Sequence, residues 1–225
     1  MEVELKLLLA PADVSAFRRL ALLQQFAVSK PHSRKLSSTY FDTPELRLKE
    51  HGMELRVRRA GRVWIETLKA DGHATAGLHE RQEWEARVDG SQPDLEALAA
   101  LVGAGSKWEK VLTAPALAKG LGPIFASVFR RTVWPLRLPH GALIELALDQ
   151  GELQQGDLRE PLSEVELELK SGDPVALFDF ALQLQDKVPL RVGNLSKSAR
   201  GYAFHAQQPL SSVKAGSVEL AAGCR

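Results

Sequence analysis

The sequence predicts an α+β fold dominated by strand: an antiparallel β-barrel with helices packed on its outside. Three observations carry this. Stretches in which apolar and polar residues alternate recur from the N-terminus to about residue 170, mostly joined by short turns, which suits an antiparallel barrel better than a parallel sheet. Segments of helical spacing interrupt them in roughly three places, each with an apolar stripe that needs a greasy surface to pack on. Strand after strand pairs one apolar face with one face that mixes acids with Arg or Lys.

Residues 1–9 open the chain as a strand, with Glu2, Glu4 and Lys6 on one face and Val3, Leu5, Leu7 and Leu9 on the other. Pro11-Ala12-Asp13 starts a helix whose stripe is Val14, Phe17, Leu20, Ala21 and Phe26. Residues 34–41 alternate weakly and end at the turn Asp42-Thr43-Pro44, with 46–51 as a short connection. In 53–60, Glu54, Arg56 and Arg58 oppose Met53, Leu55 and Val57, and Gly61-Arg62 is a hairpin turn to a partner strand over 62–70. There Lys69 shares its face with Val63 and Ile65, an awkward neighbourhood for a charged lumen. A polar, glycine-containing loop over 71–77 leads to 79–88, which sets Arg81, Glu83, Glu85 and Arg87 on one side.

Asp94 caps a helix reaching Val102, and 103–122 is expected to hold one more short helix and loops. Residues 125–138 form a long strand carrying Arg130 and Arg131, which cannot both face the same way. In 141–149, Glu145, Ala147 and Asp149 share a side; Gln150-Gly151 reads as a turn into a short strand over 152–155. Residues 162–170 repeat the acidic alternation of the N-terminus with Glu164, Glu166 and Glu168. Asp173-Pro174 opens a helix with Val175, Phe178, Ala181, Leu182 and Gln185 as its stripe, and Ser196 to Tyr202 is the last feature before a tail that reads as disordered.

At 225 residues, with 44% hydrophobic and 25% charged residues, the chain can build a real core, and no linker divides it. A net charge of +1 argues against a general nucleic-acid coat but permits a local basic site balanced by acids. The single cysteine, Cys224, excludes an internal disulfide or a cysteine-based metal centre and fits a reducing compartment. No signal peptide is evident, and no run approaches the roughly 20 apolar residues of a membrane span, so a cytoplasmic protein away from membranes is expected.

If the helices cover the barrel's outside, its apolar faces point outward and its charged faces line the lumen. That lumen would hold Glu2, Glu4, Lys6, Arg56, Arg58, Arg81, Glu83, Glu85, Asp149, Glu164, Glu166 and Glu168. Unpartnered buried charge is costly, so such an interior calls for water, metal and ligand. Clustered carboxylates suit a hard divalent cation such as Mg²⁺ or Mn²⁺, and clustered Arg and Lys suit a polyanion. Together they suit a metal–polyphosphate substrate.

The residues also carry a family resemblance. Glu2-x-Glu4-x-Lys6 resembles the signature of the CYTH group, the triphosphate tunnel metalloenzymes. Further ordered matches are Tyr40-Phe41-Asp42-Thr43-Pro44, Leu55-Arg56-Val57-Arg58, Thr67-Leu68-Lys69, Gly77-Leu78-His79, Arg131-Thr132-Val133-Trp134, the run from Ile144 to Asp149, Glu164-x-Glu166-x-Glu168, and the run from Ser196 to Tyr202. The chain is most similar to the bacterial inorganic triphosphatase branch. The resemblance implies an eight-stranded closed tunnel over residues 1–205, with 206–225 as the tail, that hydrolyses inorganic triphosphate to pyrophosphate and phosphate. It implies that Glu2, Glu4, Asp149, Glu164 and Glu166 hold one or two Mg²⁺ or Mn²⁺ ions, supported by Glu85 and Glu168. It further implies that Lys6, Arg56, Arg58, Lys69, Arg81, Arg131 and Lys197 grip the phosphates, assisted by Arg200, with Glu2, Glu4, Lys6 and Asp149 catalytic. The match of Arg-Thr-Val-Trp selects Arg131 over Arg130 as the inward residue. Alternatives of the same fold are a nucleotide or thiamine triphosphate hydrolase or an adenylate cyclase; a non-catalytic polyphosphate-binding module is the alternative of another class. Glu83, Arg87 and Lys170 read as surface or structural charges, and the four tryptophans as packing between helices and barrel.

Overall fold

Period-two alternation becomes a closed wall in the computed structural model of the protein, which describes residues 2–206. In chain order the elements are β1 (Glu2–Leu9), α1 (Val14–Arg18), α2 (Ala21–Gln25), β2 (His32–Asp42), α3 (Arg47–Glu50), β3 (Met53–Ala60), β4 (Val63–Thr75), β5 (Leu78–Val88), α4 (Leu95–Leu101), α5 (Lys107–Leu112), α6 (Pro115–Gly120), β6 (Gly122–Arg137), β7 (Leu143–Gln155), β8 (Leu158–Ser171), α7 (Val175–Gln185), β9 (Leu190–Val192) and α8 (Lys197–His205). Among the described residues, eight strands run in the order β5-β4-β3-β2-β6-β7-β8-β1, and a β5–β1 pairing closes them into an antiparallel barrel. β1 is the closing strand: Glu2 faces Arg81 of β5 on one side while Glu4 faces Glu168 of β8 on the other. Where β5 leaves β1, the short β9 continues the pairing from Leu7↔Val192 to Leu9↔Leu190.

The outward faces of the strands are apolar and lie under helices. Leu5, Leu7, Ile144, Leu146, Val165 and Leu167 pack with Phe17, Leu23 and the Leu177, Phe180 and Leu184 stripe of α7, whereas Val175 and Leu182 of the expected stripe are exposed. A second core joins Leu55, Val57 and Leu68 to Leu48, Leu98, Leu112 and Leu117 from α3 to α6. The tryptophans occupy these cores as expected, Trp134 in the first and Trp64, Trp84 and Trp108 at the second. Burying apolar area at about 25 cal/mol per Å² is the main source of stability for such a wall.

Several local expectations are corrected. The first helical segment splits into α1 and α2 because Leu20 takes an extended backbone, and residues 103–122 hold two helices, not one. β4 does not stop at Ala70 but bulges and continues to Thr75, so the turn falls on Ala76 and Gly77, both at positive φ. Gln150-Gly151 is no turn: Gly151 sits inside the continuous β7. A Cβ there would come within 2.1 Å of the Val128 carbonyl oxygen, so glycine marks a close backbone approach and the turn lies at Gly156. Cys224 and the tail expected from residue 206 lie outside the described residues, apart from Ala206, the C-cap of α8.

Candidate active site

Each strand turns its charged face inward, and the inner faces line a narrow, strongly polar cavity. Lining it are Glu2, Glu4 and Lys6 of β1, Tyr40 of β2, Glu54, Arg56 and Arg58 of β3, Lys69 of β4, Arg81 of β5, Arg131 of β6, Glu145 and Ala147 of β7, Glu166 and Glu168 of β8, and Ser196 and Lys197 at the start of α8. Lys69 does reach the lumen, despite sharing its face with Val63 and Ile65. Arg131 points in, and its neighbour Arg130 is exposed.

The charges sort into two groups. In the deeper one, Asp149, Glu164 and Glu166 are buried, with carboxylate oxygens all within 4.8 Å of one another. Register explains the convergence: Asp149 lies directly opposite Glu164 across β7 and β8, and Glu166 opposite Lys6 across β8 and β1. Lys197 Nζ sits 2.7 Å from Asp149, 2.5 Å from Glu164 and 2.8 Å from Glu166. Lys6 Nζ donates to Glu164 at 2.9 Å and also to Glu166. Arg131 forks onto Asp149 at 2.7 and 2.6 Å and reaches Glu166 at 2.5 Å. Burial opposes charge on Asp149, Glu166 and Lys6, but their partners prevail. Arg131 and Lys197 hold Asp149 below the ordinary carboxylate range, and Lys197, Lys6 and Arg131 hold Glu166 well below it. For Lys6 the same contest ends with Glu164 and Glu166 keeping its ammonium above the usual lysine range.

The second group joins Glu2, Glu4 and Glu54 to Arg81 and Lys69. Arg81 donates to Glu2 at 3.2 Å and Glu4 at 2.9 Å, and lies 3.6 Å from Glu54. Lys69 bonds Glu2 at 2.6 Å and pairs with Glu83 at 3.3 Å. Glu2 and Glu4 are not among the carboxylates that converge within 4.8 Å, so the five acids expected to hold one or two ions fall into two groups. Glu168 lines the cavity but is bridged to Lys170 at 2.5 Å, and burial raises its carboxyl above the usual value. Glu85 is exposed, outside the lining, and accepts from Thr67 at 2.9 Å. Arg200 is tied at the rim to Glu160, at 2.9 and 2.6 Å, with its other nitrogen 3.7 Å from Glu164. Glu83, also outside the lining, is a structural charge: it pairs with Lys69 and with Arg56 at 3.7 Å.

Two cations stand out by what they lack. Arg58 donates to the Ser38 hydroxyl at 3.0 Å and has no carboxylate partner among the described residues. Burial, then the like charges of Arg56 and Arg131, push its guanidinium down to about 9. Arg56 keeps a buried Nε with no partner, and the Tyr40 hydroxyl beside it is equally unpartnered. Buried polar groups without a partner are rare in folded proteins.

Sequence reasoning missed Glu54 and Glu145 as lining residues, although both fall on the inward parity of their strands. It also gave no role to the Asp42-Thr43-Pro44 turn. Asp42 is buried and accepts from the amides of Thr43, Leu48 and Lys49 and from the Tyr202 hydroxyl at 2.9 Å. It therefore caps α3 and anchors α8, the helix that carries Lys197 into the lumen. Gly201 lets α8 lie directly on Phe125, where a Cβ would come within 2.0 Å of the ring.

Comparison with known proteins places the chain in a family. A model described as CYTH domain matches residues 1–202. The chain is 32% identical over 211 residues to an inorganic triphosphatase of Haemophilus influenzae, covering 93% of this chain and 56% of that protein. It therefore spans about half the length of the curated relative it matches. Among solved structures, an adenylyl cyclase candidate from Hippeastrum described as having a dominant triphosphatase activity superposes with a TM-score of 0.62 at 20% identity, covering 93% of this chain and 98% of that one. An adenylate cyclase candidate from Bacillus halodurans follows at 0.54 and 20%, covering 89% and 96%. At that identity the likeness is one of fold.

Proposed function

The chain belongs to the CYTH domain family, and from that premise we propose that it hydrolyses inorganic triphosphate to pyrophosphate and phosphate in the lumen, with Mg²⁺ or Mn²⁺. The observation that carries this reading is the pairing, in one cavity, of under-satisfied arginines with a buried carboxylate trio. Arg56 and Arg58 offer forked donors to phosphate oxygens. Apart from Tyr40, Ala147 and Ser196, every residue lining the cavity is charged, which favours a bare phosphate chain over one bearing a base. Activity in a related triphosphatase supports the same reading.

The charge balance argues for metal. Seven lining cations face six lining carboxylates, and Asp149 and Glu164 stand behind them, so the lumen is nearly neutral. It cannot neutralise a polyphosphate alone. The donor set fits a hard cation: three carboxylates converge, and Glu164 Oε2 is buried with no hydrogen-bond partner. Asp149, Glu164 and Glu166 are the residues that would hold it, with Glu2 and Glu4 completing a second position. Bound there, a divalent ion supplies Lewis-acid polarisation of phosphoryl oxygens and acidifies a water.

The protein's own residues do the rest. Arg56, Arg58 and Arg131 hold the phosphates in line, Lys6 and Lys197 stabilise charge on the leaving pyrophosphate, and the apolar shell keeps the wall rigid. Lys6, Lys197 and Arg131 need little reorganisation, because each is already braced by carboxylates, while Arg56 and Arg58 keep donors free for the phosphates. Phosphate release from inorganic triphosphate, ATP and thiamine triphosphate, with Mg²⁺, with Mn²⁺ and with chelator, tests the proposal. Turnover of inorganic triphosphate is expected to be fastest and to stop with chelator; equal or faster turnover of ATP would overturn the substrate assignment.

A further inference from the structure

The two lysines that neutralise the carboxylate trio come from opposite ends of the chain, and one small knot holds both backbones. Lys6 donates its amide to the Gly77 carbonyl at 2.9 Å and accepts from the Gly193 amide at 2.9 Å. Gly77 in turn donates its amide to the Asn194 side-chain oxygen at 2.9 Å, and the buried His79 ring bonds the Gly193 carbonyl at 3.1 Å. The β4–β5 turn, β1 and the link from β9 to α8 are thereby tied together, three residues before Lys197 enters the lumen.

Space around the knot is specific. Gly77 has φ of +81°, and a Cβ there would come within 2.5 Å of Val192; one on Gly193 would meet the Lys6 side chain at 3.0 Å. No other side chain in this link replaces the bond, since Ser196 is occupied capping α8 through the Ala199 amide. Asn194 is exposed, so its one internal task is the bond to Gly77.

We propose that Asn194 is a positioning residue: by pinning the β9–α8 link to the Gly77 turn it sets the depth of Lys197 in the carboxylate trio, and so the readiness of the phosphate site. This rests on the triphosphatase reading only for its kinetic readout. Asn194→Leu and Asn194→Ala remove the acceptor at an exposed position; Asn194→Asp keeps one. In the full chain, per-residue acetylation of lysines followed by mass spectrometry reads the position of Lys197, which is 6% exposed. Losing one hydrogen bond is expected to raise labelling of Lys197 about five-fold in both Leu and Ala variants, with Lys49 labelling unchanged and Tm lowered by no more than about 2–4 °C, and Asp is expected to restore protection. In the same variants kcat/KM for triphosphate is expected to fall by a similar factor and recover with Asp. Unchanged Lys197 labelling in the Leu and Ala variants, or failure of Asp to restore it, overturns the proposal. A wild-type protein that is inert to triphosphate while Lys197 labelling still responds to Asn194 overturns the substrate reading and leaves the positioning intact.

Discussion

Leu5 and Lys6 are neighbours on one strand, each 1% exposed, yet they are buried by opposite means. Leu5 points out of the barrel into apolar contact with the helix-covered core; Lys6 points in and meets Glu164 and Glu166. The first burial is non-directional and scales with area. The second stands only because each charge has a partner at hydrogen-bond distance, and it collapses when one partner is removed. One wall thus carries two kinds of interior, and its stability and its chemistry are lodged in different faces of the same strands.

Removing the inner half of that contrast should have the largest effect. Lys6→Met leaves Glu164 and Glu166 short of an ammonium, so triphosphate turnover is expected to fall by about 10²–10³-fold and stability by roughly 3–5 kcal/mol, read by initial rates and denaturant titration. Leu5→Ala on the outer face is expected to cost about 2–5 kcal/mol with kcat held at temperatures where the protein stays folded. If Leu5→Ala cut turnover as deeply as Lys6→Met, the division between the faces would fail. Arg58→Ala sharpens it from another side: the residue has no carboxylate to abandon, so KM for triphosphate is expected to rise about 10–100-fold while Tm holds or rises.

The smallest effect separates the faces by pH. Asp149 and Glu166 have depressed carboxyl pKa values, so their contribution to stability is present above the unfolded carboxylate range and is lost as pH falls through their folded values. Glu66 is the outer-face counterexample: buried beside the start of α4, it accepts one amide bond from Asp94, and burial lifts it to about 6. With its folded pKa raised, Glu66 weakens the protein as pH rises through about 4.5 to 6 and keeps that cost above. Glu66→Gln is therefore expected to raise stability by about 2 kcal/mol at pH 7.5 and to leave it unchanged below pH 4.5, as thermal melts across pH would show.

Much of this was legible in residue order. Alternation placed Glu2, Glu4 and Lys6 together, put Arg131 rather than Arg130 among the lumen candidates once the motif was aligned, and flagged Glu164, Glu166 and Glu168 as one row. It went wrong where backbone approach, not side-chain pattern, decides: Gly151 looked like a turn because its reason for being glycine is Phe129 and Val128 on the neighbouring strand. It was silent on Asp42, whose partners come from α3 and α8, and on Asn194, whose partner is in a turn more than a hundred residues away.

By itself, then, the sequence determined which side chains share a face, because a strand's two-residue period is local and needs no knowledge of the fold. Only the tertiary structure decided which face points inward, since inside and outside are equivalent until β5 meets β1 and the helices choose the apolar side. It also decided how the acids are grouped. Register between strands put Asp149 opposite Glu164 and sent Glu2 and Glu4 to Arg81, and α8 delivered Lys197 to the trio from the far end of the chain. Those choices are long-range pairings, and no local pattern of residues encodes them.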